Sequence, residues 1–418
     1  MDVLVVGGGG REHAICWSLH KSPRIGKLFC APGNGGISGI AECVDIGAKD
    51  VQNIVRFAKE NVDFVVVAPD DPLALGMVDA LGAAGVRAFG PCKDAARLES
   101  SKVYAKSIMK KYGIPTADYM VFTEVEDARD YIHRNGAPLV VKADGLALGK
   151  GVVVALDNET ALNAVDWMML DKKLGESGNR VIIEECMTGP EITLLVFTDG
   201  KSIVPMLSSQ DHKRAFDDNL GANTGGMGAF CPSPLYTEEI ADICMKTIIL
   251  PTIEAMNSEN CPFKGVLYFG LMLTPRGLRV VEYNARFGDP ETQPILLMLK
   301  TDLLEILDAI VDERLHEVNI EWRDGYACCV VMASGGYPEY YETGYEIKGL
   351  DSVPGDITVF HAGTARSGAS FATSGGRVLG VTARGASLQQ AVDRAYDGVA
   401  CISFENAHFR KDIGRRQA

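Results

Sequence analysis

Short apolar runs and helix-period stretches alternate along the first hundred residues. The apolar runs have strand length and stand at 3–6, 27–30, 64–67 and 87–89. The helical patterns stand between them, at about 11–20, 51–60 and 73–84. This alternation is typical of βαβ units and predicts a doubly wound parallel sheet, which binds ligands at the carboxyl ends of its strands.

The pattern changes after residue 91. The helical stretches that follow stand at 94–112, 160–170, 235–256 and 290–315. The apolar strand runs stand at 138–143, 151–156 and 180–186, within 191–214, and on both sides of a turn at 275–277. Short strands return from residue 326. The sequence therefore predicts a chain of several α/β and α+β domains that ends in a small α+β domain.

Composition excludes several classes of protein. The chain has 418 residues and a formal net charge of -14, which opposes sequence-independent nucleic-acid binding because that needs a basic face. No apolar run reaches the roughly 18 residues of a membrane span. The 11 cysteines are an odd number without a C-x-x-C motif. They predict reduced thiols in a cytoplasmic protein rather than a disulfide framework.

The motif GGGGREHA joins the first predicted strand to the first helix. Gly7 and Gly9 fit the start of a G-x-G-x-x-G fingerprint, but Glu12 stands at its third position, where a carboxylate would face a pyrophosphate. The motif therefore favours a phosphate or sugar site at the helix N-terminus over a nicotinamide or flavin site. The alternative is that these glycines serve only a tight turn.

The segment VVKADGLALGKG delivers Lys142 at the end of a strand. A loop with Gly145, Gly149 and Gly151 follows, and Lys150 lies in it. Backbone donors and cations beside a glycine-rich loop suit a triphosphate that is covered during reaction. The spacing is not that of Walker A. A plain hairpin with surface lysines is the alternative.

A third motif, RVIIEECMTGPEI, joins two strands. Its hinge could offer backbone groups to an adenine edge, and a carboxylate such as Glu191 could hold ribose hydroxyls. The residues alone favour the simpler interpretation, in which Glu184 and Glu185 are solvated at a strand end.

The segment EYNARFGDPETQP concentrates the most chemistry. In a strand, Glu282 and Asn284 are two residues apart and share a face with Arg286. Two oxygen ligands on one face suit Mg²⁺, whose remaining ligands are phosphates and water. An arginine there can bind a carboxylate or phosphate bidentately. The helix that follows is predicted to begin with Asp289, Glu291 and Thr292, where acidic caps are common.

A charged cluster at 211–214 precedes a glycine loop at 223–228. Polar loops of this length are uncommon inside a compact domain unless they have a function. His212 could be a general base, although a single histidine is more often structural. No Ser–His–Asp or Cys–His signature occurs.

Together these segments resemble the ATP-grasp superfamily and, more closely, the glycinamide ribonucleotide synthetase family. The resemblance runs nearly end to end and is carried by GGGGREHA, APGN (31–34), FGP (89–91), LESSK (98–102), KADGLALGKG (142–151), SSQDHKR (208–214), NTGGMGAF (223–230), EYNARFGDPETQP (282–294), SGGYP (334–338), FHAGT (360–364), GRVLGVTA (376–383) and KDIG (411–414). It implies an N-terminal domain at 1–100, an ATP-grasp region at 101–322 with a mobile lid at about 116–187, and a C-terminal domain at 323–418.

The resemblance also implies roles for particular residues. ATP contacts are implied for Lys102, Lys142, Gly145, Gly149, Lys150, Gly151, Glu184, Glu185, Cys186, Met187 and Glu191. Metal ligation by Mg²⁺ or Mn²⁺ is implied for Glu282 and Asn284. Our hypothesis for the other substrates, from the polar loops at matching motifs, names Gly9, Arg11, Glu12, Asp70, Asp211, Asn223, Thr224, Gly225, Gly226, Arg286, Asp289 and Thr292. The expected catalytic residues are Arg286, Lys142 and Asp211.

The implied reaction joins glycine to 5-phosphoribosylamine at the expense of ATP in purine biosynthesis, through glycyl phosphate. The expected partners are these small molecules, without nucleic acid or membrane, and the expected oligomeric state is a monomer or homodimer. Three alternatives stay open: another ATP-grasp carboxylate–amine ligase, a nicotinamide-dependent oxidoreductase built on GGGGREH, and a catalytically silent ATP-binding module.

Overall fold

The computed structural model describes residues 1–147, 151–171 and 173–415. The predicted parallel sheet opens the chain. Its five strands are all parallel and lie in the spatial order Glu42–Cys43, Leu28–Pro32, Val3–Gly7, Phe64–Val67, Arg87–Phe89. Because the first strand lies in the middle, the chain winds outward in both directions. The doubly wound prediction is confirmed.

The helices around this sheet are Gly10–Leu19, Val51–Asn61, Asp70–Ala74 and Met77–Ala83. The prediction of one helix over 73–84 is wrong, because Gly76 has a φ of +83°. That left-handed backbone, which favours glycine, ends one helix and begins the next. Asp70 is the first residue of the short helix Asp70–Ala74, which follows the carboxyl end of strand Phe64–Val67.

The predicted helix at 94–112 is also two helices, Lys93–Ser100 and Lys102–Lys111. Ser101 separates them with an extended backbone (φ −139°, ψ 106°), and its hydroxyl caps the second helix by accepting a hydrogen bond from the Tyr104 amide at 3.2 Å. Serine is among the best residues for this position. The joint turns the side chains at 99 and 102 toward the candidate site described below.

A four-stranded antiparallel sheet follows, in the spatial order Tyr119–Phe122, Val181–Glu185, Leu139–Ala143, Val152–Ala155. Helices Val125–Asn135 and Asn158–Met169 pack against it. Buried Val141 and Ile183 share a hydrophobic cluster with Ile132 and Val165 of these helices. The predicted lid is therefore a layer with a core of its own.

The central sheet is antiparallel, in the order Ile203–Pro205, Glu191–Thr198, Gly265–Thr274, Gly277–Asn284. Helices Glu238–Cys244 and Leu250–Ser258 pack on it, joined by a π-helical turn at Met245–Ile249. Leu4 and Val65 of the first sheet and Phe269 and Leu271 of this sheet are fully buried in one cluster. The two sheets thus share a core.

The fourth large sheet draws strands from two parts of the chain. Its order is Gln210–Asp211, Gly228–Cys231, Tyr326–Ala333, Arg377–Gly385, Thr358–His361, all antiparallel. Helix Leu388–Cys401 packs against it. The segment that holds Asp211 therefore pairs with Gly228–Cys231, which in turn pairs with the C-terminal strand Tyr326–Ala333. This pairing brings the C-terminal strands to the candidate site.

The predicted helix at 290–315 is divided into Thr292–Met298 and Leu303–Val311. The backbone is extended at Leu299, and Asp302 caps the second helix by accepting from the Leu304 amide at 2.9 Å. This capping aspartate was not recognised as a helix start.

The remaining elements are small. They comprise the pair Arg214–Phe216 and Leu220–Asn223, the sheet Glu346–Ile347, Ser370–Thr373, Thr364–Ser367, and 3₁₀ turns at Ile37–Gly39, Gly175–Gly178, Asp217–Asn219, Leu315–Glu317 and Leu350–Ser352. Within the described ranges, no helix has the length and apolar character needed to cross a membrane.

Candidate functional site

Three lysines surround one carboxylate where the lid sheet faces the central sheet. Lys213 Nζ lies 3.4 Å from Glu282 Oε1. Burial would raise the pKa of Glu282, but Lys213, Lys142 and Lys102 lower it to about 2. Glu282 is therefore an anion at neutral pH. We call Lys102, Lys142 and Lys213, together with Glu282, the lysine cluster.

A β-bulge positions Lys142 in this cluster. Gly270 pairs with Glu282 and Leu271 pairs with Val280, so Val281 has no partner across the sheet. A bulge leaves a backbone group free of the ladder. The freed Val281 carbonyl accepts a hydrogen bond from Lys142 Nζ at 3.2 Å. The central sheet thus holds the lysine that the lid sheet provides.

Glu184 forms an ion pair with the same lysine, Lys142. Its Oε2 lies 2.9 Å from Lys142 Nζ, its Oε1 lies 3.2 Å from Lys106 Nζ, and the residue is 2% exposed. Burial lowers the pKa of Lys106 to about 8. The interpretation of Glu184 as a solvated strand-end residue is wrong, because two lysines from separate elements compensate its buried charge.

The predicted adenine hinge joins the two sheets. Cys186 and Met187 lie between strand Val181–Glu185 of the lid sheet and strand Glu191–Thr198 of the central sheet. Glu185 pairs with Arg276 at the surface. Glu191 Oε2 lies 2.9 Å from Lys213 Nζ. The hinge is therefore adjacent to the lysine cluster.

The base of the glycine loop is anchored to the helix joint at Ser101. The Ser101 hydroxyl donates to Asp144 Oδ1 at 3.0 Å, and Lys102 Nζ donates to the Gly145 carbonyl at 3.0 Å. On the far side, the Gly151 carbonyl accepts from the Ala143 amide at 2.9 Å. The predicted contacts Gly149 and Lys150 lie outside the described residues.

Arg286 lies deep in the site. Its Nη2 atom is 2.8 Å from Glu99 Oε1 and donates to Asn284 Oδ1 at 3.0 Å. Nη1 donates to the Phe287 carbonyl at 3.2 Å. Burial raises the pKa of Glu99 to about 7, although Arg286 opposes this and Asp70 adds to it. The arginine is thus held by an acid from another element, Glu99 of helix Lys93–Ser100.

The N-terminal glycine loop approaches the same place. Glu12 accepts from the Gly9 amide at 2.6 Å, which is the glutamate half of a capping box, and from Arg11 Nε at 2.7 Å. Burial opposes a low pKa for Asp70, but Arg286 and Arg11 bring it below its usual value. Asp70 therefore lies in the electrostatic environment of both arginines.

Asp211 lies in a different environment. Burial, and then the neighbouring Glu291, raise its pKa well above the usual value, although Lys213 opposes this. Burial also raises the pKa of Glu291, which is 3% exposed. Asp211 Oδ1 is buried without a hydrogen-bond partner in the described part of the protein. We call Asp211 and Glu291 the acidic pair.

The glycine loop at 223–228 is tied to the rest of the site by one arginine. Arg377 Nη1 donates to the carbonyls of Gly225, Gly226 and Asp289, the last at 2.8 Å, and Nη2 lies 2.9 Å from Asp289 Oδ2. Because Arg377 comes from a C-terminal strand, that strand holds two predicted substrate loops together.

Three further predicted residues serve the local backbone. Asn223 ends strand Leu220–Asn223 and pairs with Arg214. The Thr224 hydroxyl donates to the Lys213 carbonyl at 2.8 Å. The Thr292 hydroxyl donates to the Gly288 carbonyl. These bonds shape the loops around the acidic pair.

His212 is structural. Its Nδ1 donates to the Gly228 carbonyl at 3.3 Å and its Nε2 accepts from the Gly414 amide at 3.4 Å. Burial lowers its pKa to about 4. A neutral imidazole with both nitrogens engaged does not serve as a general base. The structural alternative stated for this histidine is therefore favoured.

Glu282 and Asn284 fit a magnesium ion as donors. An ionised carboxylate and an amide oxygen are the hard ligands that Mg²⁺ takes when phosphates and water complete its shell. Both oxygens are held by cations, Lys213 on Glu282 and Arg286 on Asn284. The described residues contain no group of three or more His, Cys, Asp or Glu side chains placed to hold a metal.

Sequence reasoning missed four residues that touch the predicted ones: Glu99, Lys106, Lys213 and Arg377. Glu99 and Lys213 lie inside motifs that carry the resemblance, LESSK and SSQDHKR. Their charge and their place inside those motifs are the signals that could have identified them as site residues. Lys106 and Arg377 come from distant elements, so only the fold shows their contacts.

Comparison with known families agrees with this geometry. The chain matches the phosphoribosylglycinamide synthetase N domain at residues 1–99, the ATP-grasp (A) domain of that synthetase at 100–292, and its C domain at 327–416. The three matches follow one another along the chain in the order of that multidomain synthetase.

Similar proteins extend the match. The phosphoribosylamine–glycine ligase of Rhodopirellula baltica is 49% identical over 422 residues, covering 99% of this chain and 97% of the relative. The Halalkalibacterium halodurans ligase is 46% identical over 417 residues, covering 100% and 97%.

Solved structures give the same result. The phosphoribosylamine–glycine ligase of Thermotoga maritima superposes with a TM-score of 0.84 at 32% identity, covering 99% of this chain and 100% of that one. A Campylobacter jejuni biotin carboxylase–β,γ-ATP complex shares the fold, with a TM-score of 0.76 at 12% identity over 98% and 93% of the two chains. The chain therefore belongs to the phosphoribosylglycinamide synthetase family.

Proposed function

We propose that the site described above drives the ATP-dependent ligation of glycine to 5-phosphoribosylamine through glycyl phosphate. The products are glycinamide ribonucleotide, ADP and phosphate, as purine biosynthesis requires. The observation that carries this proposal is the arrangement of Lys102, Lys142 and Arg286 around the ionised Glu282 and the amide of Asn284. Cations and metal-ligand oxygens in one place suit transfer of a phosphoryl group.

The chemistry needs an activated carboxylate, because hydroxide is too poor a leaving group for an amine to displace at neutral pH. A glycine carboxylate oxygen attacks the γ-phosphorus of ATP, and ADP leaves. The amine of phosphoribosylamine then attacks the carbonyl carbon, the C–N bond forms, phosphate leaves and the amine loses a proton. No covalent enzyme intermediate is required. Catalysis is positioning and charge stabilisation.

We assign the nucleotide to the cleft between the lid and central sheets. Lys102 and Lys142 bind the phosphates, and the loop that includes Gly145, Gly149, Lys150 and Gly151 closes over them and excludes water that would hydrolyse the acyl phosphate. The hinge residues Glu184, Glu185, Cys186 and Met187 bind the adenine, and the buried Glu184 also pairs with Lys142. Glu191 binds the ribose.

Glu282 and Asn284 are the proposed metal ligands, for Mg²⁺ or Mn²⁺. A bound divalent ion would supply further positive charge to the phosphates. Lys213 Nζ lies 3.4 Å from the Glu282 carboxylate, and Arg286 donates to the Asn284 amide oxygen, so a cation faces each of these two oxygens.

The acidic pair and the glycine loop form the proposed glycine site. Asp211 has a buried oxygen without a partner, and a glycine ammonium would supply the missing donor. Asn223, Thr224, Gly225 and Gly226 position the sugar amine, with Asp289 and Thr292 at the edge of the loop. Arg286 binds the glycine carboxylate as the phosphoryl group arrives.

The N-terminal loop is the proposed site of the sugar. Glu12 and Asp70 accept hydrogen bonds from the ribose hydroxyls, and Gly9 and Arg11 line the approach. Both carboxylates already lie beside Arg11, so their charge is compensated before the sugar binds.

The test is ADP formation from ATP, Mg²⁺ and glycine, with and without phosphoribosylamine generated in situ from ribose 5-phosphate and ammonia. We expect ADP release to need both substrates and glycinamide ribonucleotide to be found by mass. Equal release without the amine would point to another acceptor. No release would contradict the proposed reaction. Replacing Mg²⁺ with Mn²⁺ in the same assay measures the metal preference.

Two further expectations concern the protein as a whole. We propose a cytoplasmic enzyme, since all 11 cysteines are free thiols and reduced cysteines are typical of that compartment. We propose a monomer or homodimer, which sedimentation velocity would distinguish.

A further inference from the structure

Glu99 is a buried residue whose two carboxylate oxygens contact two consecutive residues, Ala285 and Arg286. Oε1 lies 2.8 Å from Nη2 of Arg286, and Oε2 accepts a hydrogen bond from the Ala285 amide at 2.7 Å. The residue is 8% exposed. Two-point contact of this kind fixes both the backbone before Arg286 and its side chain.

The junction of helices Lys93–Ser100 and Lys102–Lys111 lies next to Glu99, and it also holds the base of the glycine loop. Glu99 lies in the last turn of helix Lys93–Ser100, and the next residues, Ser101 and Lys102, bond to Asp144 and Gly145 at the base of the loop. One short stretch of chain therefore sets the position of Arg286 relative to the loop that covers the nucleotide.

Arg286 keeps donor capacity beyond these contacts. Nη1 and Nη2 contact Phe287, Asn284 and Glu99, while Nε is buried and has no hydrogen-bond partner among the described residues. A guanidinium has five N–H donors in a rigid plane, so fixing one edge of the plane aims the remaining donors. Glu99 fixes that edge.

We propose that Glu99 is a positioning residue for Arg286, which it holds in the orientation that receives the transferring phosphoryl group. This inference rests on the proposed function, in which Arg286 neutralises that group. Glu99 itself touches no reacting atom. Its contribution passes entirely through the arginine, so the two residues act as one unit.

A double-mutant cycle tests this dependence. The variants are Glu99→Gln, Arg286→Lys and the two combined, in the full chain, assayed for formation of glycinamide ribonucleotide. Glutamine keeps the length of Glu99 and removes its charge. We expect Glu99→Gln alone to lower kcat by about tenfold. In the Arg286→Lys background we expect it to change kcat by less than about twofold, because the unit is already broken.

Nucleotide affinity separates positioning from a structural role. Calorimetric titration with a non-hydrolysable ATP analogue should give Kd values for wild type and Glu99→Gln that agree within about twofold, since the phosphate-binding lysines are unchanged. The matched control is Glu259→Gln. Glu259 is a glutamate paired with Lys111 at the exposed end of helix Lys102–Lys111. Its replacement should leave both kcat and Kd unchanged.

The outcomes are distinct. Losses that multiply in the double variant, or a nucleotide Kd that weakens in parallel with kcat, would overturn the inference. If Glu99→Gln does not fold, Glu99→Asp, which keeps the charge but shortens the reach, replaces it in the same cycle with the same expectation of non-additivity. A wild-type protein that forms no glycinamide ribonucleotide would contradict the proposed function, which is a different failure.

Discussion

The lysine cluster and the acidic pair both contain carboxylates whose pKa burial would raise, but the two regions titrate in opposite directions. In the cluster, Lys213, Lys142 and Lys102 overcome burial and lower the pKa of Glu282 to about 2. In the pair, burial raises the pKa of both carboxylates above their usual values, and Glu291 raises that of Asp211 further. Burial alone therefore does not set the charge of a carboxylate; the neighbouring charges decide it.

This difference divides the proposed work of the site. An anion kept ionised at every physiological pH suits a metal and its phosphates. A pair of carboxylates with too little positive charge around it suits an incoming ammonium, whose arrival would lower both pKa values. Burial would lower the pKa of Arg286, but Glu99, Asp70 and Glu291 raise it, and its Nη2 donates to Asn284 Oδ1 at 3.0 Å. Arg286 therefore contacts one candidate metal ligand and lies in the electrostatic environment of one member of the acidic pair.

The largest expected effect comes from removing the arginine assigned to the transferring phosphoryl group. Arg286→Ala should lower kcat by about 100-fold, as loss of a preorganised charge-stabilising donor does. Steady-state formation of glycinamide ribonucleotide measures it, with thermal unfolding as the check on folding. A variant that keeps more than half of the wild-type kcat would remove Arg286 from the catalytic residues.

A smaller effect is expected from the acidic pair. Asp211→Asn should raise the glycine KM by about tenfold, because a charged hydrogen bond to the ammonium is lost, and should leave the ATP KM unchanged. Initial rates at varied glycine and at varied ATP separate the two constants. An unchanged glycine KM would contradict the assignment of the ammonium site.

The carboxylates of the two regions should also contribute to the stability of the fold with opposite dependence on pH. Glu282 has a folded pKa of about 2 against a usual 4.5, so its stabilising effect is present above 4.5 and is lost as the pH falls through 2. The raised pKa of Asp211 means the reverse: its contribution is present below the usual value of 3.8 and is lost as the pH rises through the folded pKa.

At pH 7, Glu282→Gln should therefore lower Tm and Asp211→Asn should raise it, each by a few degrees. At pH 5, the gain in Asp211→Asn should be smaller, whereas the loss in Glu282→Gln should persist. Differential scanning fluorimetry at both pH values measures this. Shifts of the same sign at pH 7 would show that the charges around the two carboxylates do not differ as described.

The smallest effect is expected at the hinge surface. Glu185 pairs with Arg276 at a half-exposed position, and pairs of this kind contribute about 0–1 kcal/mol. Glu185→Gln should change the Kd of an ATP analogue by less than about fivefold. Glu191→Gln is the comparison, and it should weaken binding more because Glu191 contacts Lys213 and is assigned to the ribose.

Much of the fold could be predicted from periodicity. The doubly wound parallel sheet follows from alternating apolar runs and helices, and the long apolar strands of the central sheet are evident in the sequence. Helix continuity was predicted less well. The helices at 73–84, 94–112 and 290–315 are each divided, because Gly76, Ser101 and Asp302 favour a break or a cap that apolar periodicity does not show.

The candidate site was predicted as a set of segments rather than as contacts. Glu282, Asn284 and Arg286 were recognised because their spacing is local. The sequence favours a solvated Glu184, because nothing near it in the chain indicates Lys106, which approaches from another element. The roles assigned to these residues, and the domain boundaries at 100 and 322, stay predictions.

By itself the sequence determined the order of strands and helices, the glycine loops, the candidate metal oxygens and the family resemblance, because each depends on spacing within a few residues or on motifs in order. Only the tertiary structure decided which charges meet. Lys213 reaches Glu282 across 69 positions and Glu99 reaches Ala285 across 186. A pKa depends on distance through space and on burial, and neither is written in the spacing along the chain.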